Sequence, residues 1–145
     1  MRDLPRELSV EQLAELFEGR TRFVELLAER DHPLETAPDV IGELDEAEEL
    51  EALNAHPVIG ARGLSARSAA EQGAEAEPAV AAELARLNEA YEEKFGFRFV
   101  VFVNRRPKAE ILEVLRERLE RTREEELETA LTELVAIARD RWVRA

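Results

Sequence analysis

The spacing of apolar residues constrains this chain most, because it is helical along nearly the whole sequence and changes only once. A run that begins at Pro78 places apolar side chains three or four residues apart, and Gly96 follows it as the predicted C-terminal cap. From Phe97 to Val103 the chain is rich in Phe and Val, which favour an extended backbone. No other segment offers a partner strand, so the sequence predicts an all-α fold with one short extended segment near residues 97–103.

Capping signals mark the starts of four further helices: Ser9 with Gln12, Thr21, Pro107, and Thr122 with Glu125. The last two helices are amphipathic and follow each other through a short joint, which predicts that they pack as an antiparallel pair. A chain of 145 residues is long enough for one hydrophobic core. We therefore expect residues 1–145 to form a single compact helical domain.

Composition excludes several classes of function. The chain has no cysteine, which rules out disulfides, thiolate metal ligands and a cysteine nucleophile. Its net charge of -13 argues against nucleic acid as a partner, because phosphate binding needs clustered Lys and Arg. No apolar run approaches the roughly 20 residues of a membrane span, and the first ten residues lack the apolar core of a signal peptide. The sequence thus predicts a cytoplasmic protein without a membrane partner.

His56 is the first candidate for chemistry. It follows the helical run "DEAEELEALNA", precedes Pro57 and a glycine-containing loop, and is one of two histidines in the chain. Imidazole titrates near neutral pH, which suits it to proton transfer. Alternatively, it is a helix-terminal histidine that caps a carbonyl, and the same structural interpretation is favoured for His32. Two histidines without cysteine are too few for the usual zinc sites, so no metal is predicted.

Two further sites combine polar groups that could hold a substrate. In "SAAEQ", Ser68 can share a helix face with Glu71 or Gln72, and the carboxylate and amide could orient a polar, ureide-like molecule. The same spacing also fits a capping box. Arg141, near the end of the last helix, is either solvated or turned inward to bind a carboxylate through two parallel hydrogen bonds.

Five stretches, taken in order, resemble the 2-oxo-4-hydroxy-4-carboxy-5-ureidoimidazoline (OHCU) decarboxylase family. They are "HPVIGARG", "SAAEQ", "LNEAYEEKFGFRFVVFV", "ILEVLRERLERTREEELETAL" and "ELVAIARDRW". The similarity extends from about Leu50 to Trp142. Its most specific parts are "LNEAYEEKFGF" and the order His-Pro followed by Ser-x-x-Glu-Gln.

The resemblance implies an all-α homodimer without a cofactor, which decarboxylates an anionic ureide and delivers (S)-allantoin in purine catabolism. It maps the family's catalytic residues onto His56 and Glu71. It also implies a substrate-binding set whose extended part offers backbone N–H and C=O groups: Ser68, Gln72, Phe97, Phe99, Val100, Val101 and Arg141.

Two departures from the family pattern leave alternatives open. The loop after His56 reads "HPVIG", one residue shorter than the His-Pro-Asp-Leu-Ala-Gly of many members, and Arg98 stands where proline is common. These changes are compatible with a decarboxylase for a different ureido acid. A non-catalytic helical interaction module, in which the motifs serve packing and capping, is a third hypothesis.

Overall fold

The computed structural model describes residues 2–58 and 77–145. Within those ranges the chain forms seven α-helices and no β-strand. The helices are α1 (Val10–Phe17), α2 (Arg22–Ala28), α3 (Pro33–Ile41), α4 (Glu46–Asn54), α5 (Pro78–Phe95), α6 (Lys108–Leu119) and α7 (Arg123–Arg144). The all-α prediction and the single compact domain are thereby confirmed.

Local capping explains where several helices begin and end. The Ser9 and Gln12 side chains and backbones exchange two hydrogen bonds at the start of α1, and Thr122 begins α7 in the same way. Thr21 caps α2 through a hydrogen bond from the backbone N–H of Val24. Each of these caps agrees with the sequence prediction.

Helix α3 was not predicted from the sequence. Its first residue, Pro33, occupies the first helical turn, where a missing N–H costs nothing. Pro38 lies inside α3 and cannot donate to the carbonyl of Leu34, four residues earlier. The Nε–H of Arg139 donates to that carbonyl instead, at 2.7 Å, so α7 supplies the hydrogen bond that the proline removes.

Helix α7 packs against α1, α3 and α4, while α6 packs against α5. The sequence predicted that α6 and α7 pack on each other as an antiparallel pair, and the structure corrects this choice of partners. The reason is that α7 presents its apolar face to three helices of the N-terminal half. The predicted amphipathic stripes are present, but sequence periodicity does not reveal which stripe meets which.

The segment 97–103 has no partner strand in the part of the chain that the structure describes. Gly96 ends α5 with a left-handed φ of 80°, a conformation that favours glycine, and turns the chain into this segment. The side chains of Phe97 and Phe99 pack edge-on against Tyr91, with ring centroids 5.9 and 5.2 Å away. The side chains of five of its residues therefore belong to the core, so these residues can serve another molecule only through their backbone: Phe97, Phe99, Val100, Val101 and Val103.

Candidate functional site

The site centres on the place where the turn after α1 meets the end of α4. A Cβ on Gly19 would lie 3.1 Å from the Cβ of Ala55, which is tighter than ordinary van der Waals contact. Glycine therefore allows the two turns to approach closely at this point. The approach places Glu18 and His56, each adjacent to one of these residues, in the same region.

Arg141 reaches this region from α7. Its guanidinium is buried, with 3% of the residue exposed, and Nη1–H donates to the carbonyl of Leu16 at 2.8 Å. The same Nη1 lies 3.2 Å from Oε1 of Glu18, whose side chain is mostly buried. A buried cation is stable only when paired, and here a carbonyl and a carboxylate of the α1 end supply that pairing.

The imidazole of His56 is buried next to these charges. The pKa of His56 is lowered from 6.5 to about 4, mainly by burial and next by the positive charge of Arg141; Glu18 opposes this shift, and Arg98 adds to it. The imidazole is therefore neutral at pH 7. Its Nδ1 is buried and has no hydrogen-bond partner among the described residues, so a polar atom remains there for a ligand.

Arg98 links the extended segment to the same region. Its Nη1–H donates to the carbonyl of His56 at 2.9 Å, and its backbone N–H donates to Oδ1 of Asn54 at 3.1 Å. Asn54 is the last residue of α4. The backbone of segment 97–103 is thereby held against the helix end that carries the histidine.

The structure brings together some of the residues predicted from the sequence. His56 and Arg141 share the site, and both are buried. The side chains of the four predicted residues of the extended segment lie in the core, which is consistent with a role for their backbone only: Phe97, Phe99, Val100 and Val101. Ser68, Glu71 and Gln72 lie outside the described residues. His32 is an exposed residue at the start of α3, with Nδ1 3.4 Å from Oε1 of Glu35; it is helix-terminal, as expected, but its side chain caps no carbonyl.

Sequence reasoning missed Glu18 and the contact of Arg98 with the histidine. Glu18 adopts a left-handed φ of 63°, which is uncommon for a residue with a Cβ and occurs where surrounding contacts hold it. The only local sequence signal for this conformation is the Gly19 that follows it. The pairing of Glu18 with Arg141 joins residues far apart in the chain, so no local pattern predicts it.

Two kinds of site find no support in the part of the chain that the structure describes. Residues 2–58 and 77–145 contain no group of three or more His, Cys, Asp or Glu side chains that could hold a metal ion. None of their helices is long and apolar enough to cross a membrane.

Fold and site together define a class: an all-α protein in which a neutral, buried histidine lies beside a buried arginine. The sequence model of one family, described as OHCU decarboxylase, matches residues 2–143. The chain belongs to the OHCU decarboxylase family. A crystal structure of OHCU decarboxylase in the presence of (S)-allantoin superimposes with a TM-score of 0.77 at 29% identity, covering 92% of this chain and 96% of that one.

Relatives of known sequence agree with this assignment. A 2-oxo-4-hydroxy-4-carboxy-5-ureidoimidazoline decarboxylase of Halalkalicoccus jeotgali is 30% identical over 69% of this chain and 60% of its own length. The uric acid degradation bifunctional protein TTL of Arabidopsis thaliana is 34% identical over 75% of this chain and 37% of its own length. The chain therefore spans less than two thirds of these relatives. A crystal structure of (S)-allantoin synthase, 22% identical with a TM-score of 0.70, shares the fold.

Proposed function

We propose that this chain decarboxylates 2-oxo-4-hydroxy-4-carboxy-5-ureidoimidazoline to (S)-allantoin in urate degradation. The proposal rests above all on one observation: the buried, neutral imidazole of His56 and the buried guanidinium of Arg141 share one site in a member of this family. An imidazole that stays neutral can accept a proton, and a guanidinium can bind an anion. The proposed decarboxylation uses both.

Arg141 binds the anionic substrate. Its charge is fixed from behind by Glu18 and by the carbonyl of Leu16, so the guanidinium does not need to reorganise when an anion arrives. In a chain with a net charge of -13, such a buried cation is the local exception that an anionic ligand needs. The backbone N–H groups of the extended segment add neutral hydrogen-bond donors for the anion.

His56 moves the protons. When the carboxylate leaves as carbon dioxide, the electron pair of the broken C–C bond remains on the ring. The neutral imidazole takes the proton of the ring hydroxyl, which becomes a carbonyl, and returns a proton to one face of the ring to set its chirality. One further proton from solvent balances the loss of the carboxylate. Such general acid–base catalysis is worth about 10²–10⁴-fold in rate.

The remaining predicted residues complete the site in this proposal. Glu71 orients His56 or holds the hydroxyl and ureido groups, and Ser68 and Gln72 bind the polar edge of the substrate. The backbone between Phe97 and Val101 lines the other side. We further propose a cytoplasmic homodimer whose residues 1–145 act as one catalytic domain without a cofactor.

Circular dichroism tests the reaction directly. The unstable substrate is generated from urate with urate oxidase and hydroxyisourate hydrolase, and the signal of allantoin is followed with and without this protein. We expect a rapid and persistent (S)-allantoin signal, since spontaneous decay gives racemic product. Decay at the uncatalysed rate, with no lasting signal, would contradict the proposed function.

The guanidinium of Arg98 favours a second candidate, a decarboxylase for another ureido or β-keto acid. Arg98 stands where many family members carry proline, and its guanidinium contacts the backbone of His56. The site around His56 is therefore more positive than the family pattern predicts. The rates on OHCU and on related acids should be compared for the parent and for Arg98→Pro. A faster reaction of the parent with another acid, lost in Arg98→Pro, would favour this second candidate.

A further inference from the structure

A second buried cluster contacts the extended segment. The carboxylate of Glu126 is fully buried and accepts hydrogen bonds from the hydroxyl of Tyr91 at 2.5 Å, from Nε of Arg118 at 2.7 Å and from Nη1 of Arg121 at 2.9 Å. Tyr91 comes from α5, the two arginines from α6 and its end, and Glu126 from the first turns of α7. The cluster thus joins three helices around one charge.

Arg118 connects this cluster to the segment. Its Nη1–H donates to the carbonyl oxygen of Val100 at 2.7 Å, and its guanidinium lies 4.7 Å from the ring centroid of Phe99. Arg118 is 5% exposed, so water contributes little to either contact. One planar side chain therefore holds a carboxylate on one edge and a backbone carbonyl on another, which its fork geometry permits.

An unpaired extended segment needs such a contact. In a β-sheet the ladder of hydrogen bonds fixes each peptide plane, but residues 2–58 and 77–145 supply no such ladder for this segment. Among the described residues, side chains bind the N–H groups of Arg98 and Phe102 and the C=O groups of Val100, Phe102 and Val103, whereas the N–H groups of Phe99, Val100 and Val101 form no hydrogen bond. The direction of those three donors depends on how the neighbouring groups are held.

The planarity of the peptide bond makes the contact directional. The C=O of Val100 and the N–H of Val101 belong to one rigid plane and point in opposite directions. By binding the carbonyl, Arg118 aims the N–H of Val101 away from the aromatic cluster. Glu126 in turn fixes the orientation of the guanidinium.

Burial energetics also argue against stability as the only role of the Arg118–Glu126 pair. Taking two charges out of water costs several kcal/mol per ion, and replacing a buried ion pair by apolar side chains of similar volume is often neutral or stabilising. Tyr91 and Phe99 already provide an apolar aromatic environment at this position. What an apolar pair could not provide is a donor for the carbonyl of Val100.

We propose that Arg118, oriented by Glu126, is a positioning residue that aims the backbone N–H of Val101 at the substrate. This inference rests on the proposed function, because the extended segment lines the substrate site in that proposal. It adds two residues that touch no substrate and that the family resemblance did not assign. Their effect on the reaction passes through a single peptide plane.

A matched pair of variants tests the proposal. Arg118→Lys keeps the positive charge, but an ammonium cannot bind the Val100 carbonyl and the Glu126 carboxylate as the guanidinium fork does. Tyr91→Phe removes a different donor from the same carboxylate and leaves the Val100 contact in place. At a temperature well below both melting points, we expect Arg118→Lys to raise KM about tenfold, with kcat within about threefold, and Tyr91→Phe to leave both near the parent values.

Hydrogen exchange of the peptide that covers residues 97–103 provides a readout that needs no substrate. We expect the amides of this segment to exchange about tenfold faster in Arg118→Lys than in Tyr91→Phe or the parent. Equal KM values and equal exchange in the two variants would overturn the proposal, because a purely structural role moves both variants alike. If the parent itself shows no turnover of OHCU, the proposed function fails, and the exchange rates alone decide whether Arg118 fixes the segment.

A second variant covers the case in which Arg118→Lys does not fold. Arg118→Met with Glu126→Leu removes both charges together and leaves neither buried without its partner. We expect this double variant to fold and to show the same raised KM and faster exchange of residues 97–103. Parental KM and exchange in the folded double variant would overturn the proposal.

Discussion

Arg118 and Arg141 are both buried guanidiniums paired with a glutamate, yet their surroundings differ. Around Arg118 the glutamate is fully buried and the neighbours are the rings of Tyr91 and Phe99. Around Arg141 the glutamate retains 18% exposure of its side chain, and the neighbour is the imidazole of a histidine with a lowered pKa. The first region holds backbone in place, and the second contains a group that can exchange a proton.

Glu126, which pairs with Arg118, and Arg141 lie on one face of the same helix, α7. Glu126 begins the buried face of α7 and Arg141 ends it, with only apolar residues on that face between them: Ala130, Leu134 and Ile137. The helix therefore carries a negative charge to one region and a positive charge to the other. Burial alone does not distinguish a residue that fixes structure from one that serves chemistry, whereas the kind of titratable neighbour does: a phenol whose pKa is raised in one region, and an imidazole whose pKa is lowered in the other.

The largest expected effect separates the two regions by activity. His56→Asn removes the base, and we expect kcat to fall about 10²–10⁴-fold in the allantoin assay while the far-ultraviolet spectrum remains helical. Tyr91→Phe, which alters the other region, is the matched control and should keep kcat within about threefold of the parent. A similar loss in both variants would mean that the two regions do not differ in function. Parental activity of His56→Asn would remove the histidine from the mechanism.

A second prediction separates the regions by pH. The folded-state pKa of His56 lies at about 4, below the ordinary 6.5 of the unfolded chain, so between these values the unfolded state binds more protons. The free energy of unfolding therefore falls as the pH is lowered from 6.5 towards 4, and His56 contributes about 2–3 kcal/mol of that loss by pH 4.5. Above pH 6.5 the histidine contributes no pH dependence.

Urea denaturation at pH 7 and pH 4.5 measures this loss, with His56→Asn as the reference. Protonation of carboxylates affects parent and variant alike, so the difference between their losses isolates the histidine. We expect the variant to lose about 2–3 kcal/mol less than the parent. Equal losses would show that the imidazole is not held neutral in the folded state.

Much of the fold follows from local sequence, because caps act over three or four residues. The Ser9–Gln12 and Thr122–Glu125 boxes and the left-handed Gly96 needed no tertiary information and were predicted. Helix α3 was missed because the hydrogen bond that replaces the one lost at its internal proline comes from Arg139, about a hundred residues later in the chain. The packing partners of α7 were missed because they also lie far from it in the chain.

The site was predictable only in part. His56 and Arg141 were identified through short motifs, but Glu18 depends on a contact across the whole chain. For the second cluster a signal did exist: Arg118 follows Ile111 and Leu115 at the spacing of a single buried helix face, as the structure has it. The apolar residue that follows it, Leu119, is only half-buried. A charged residue at a core position of a predicted helix is therefore a signal that should be interpreted in its own right, as a candidate for a buried polar contact.

The smallest expected effect tests whether Arg141 acts on the histidine as well as on the substrate. Arg141→Lys keeps the charge but loses the fork, so we expect KM to rise about tenfold while the pKa of His56 stays low. Arg141→Gln removes a charge that lowers this pKa, so the pKa should move upward. Nuclear magnetic resonance titration of the imidazole measures the pKa of His56 in each variant.

The same titration in Arg118→Lys should match the parent, because the charge of Arg118 is not among the causes of the shift. An equal upward shift in all three variants would mean that loosened packing, rather than the charge of Arg141, governs the protonation of His56.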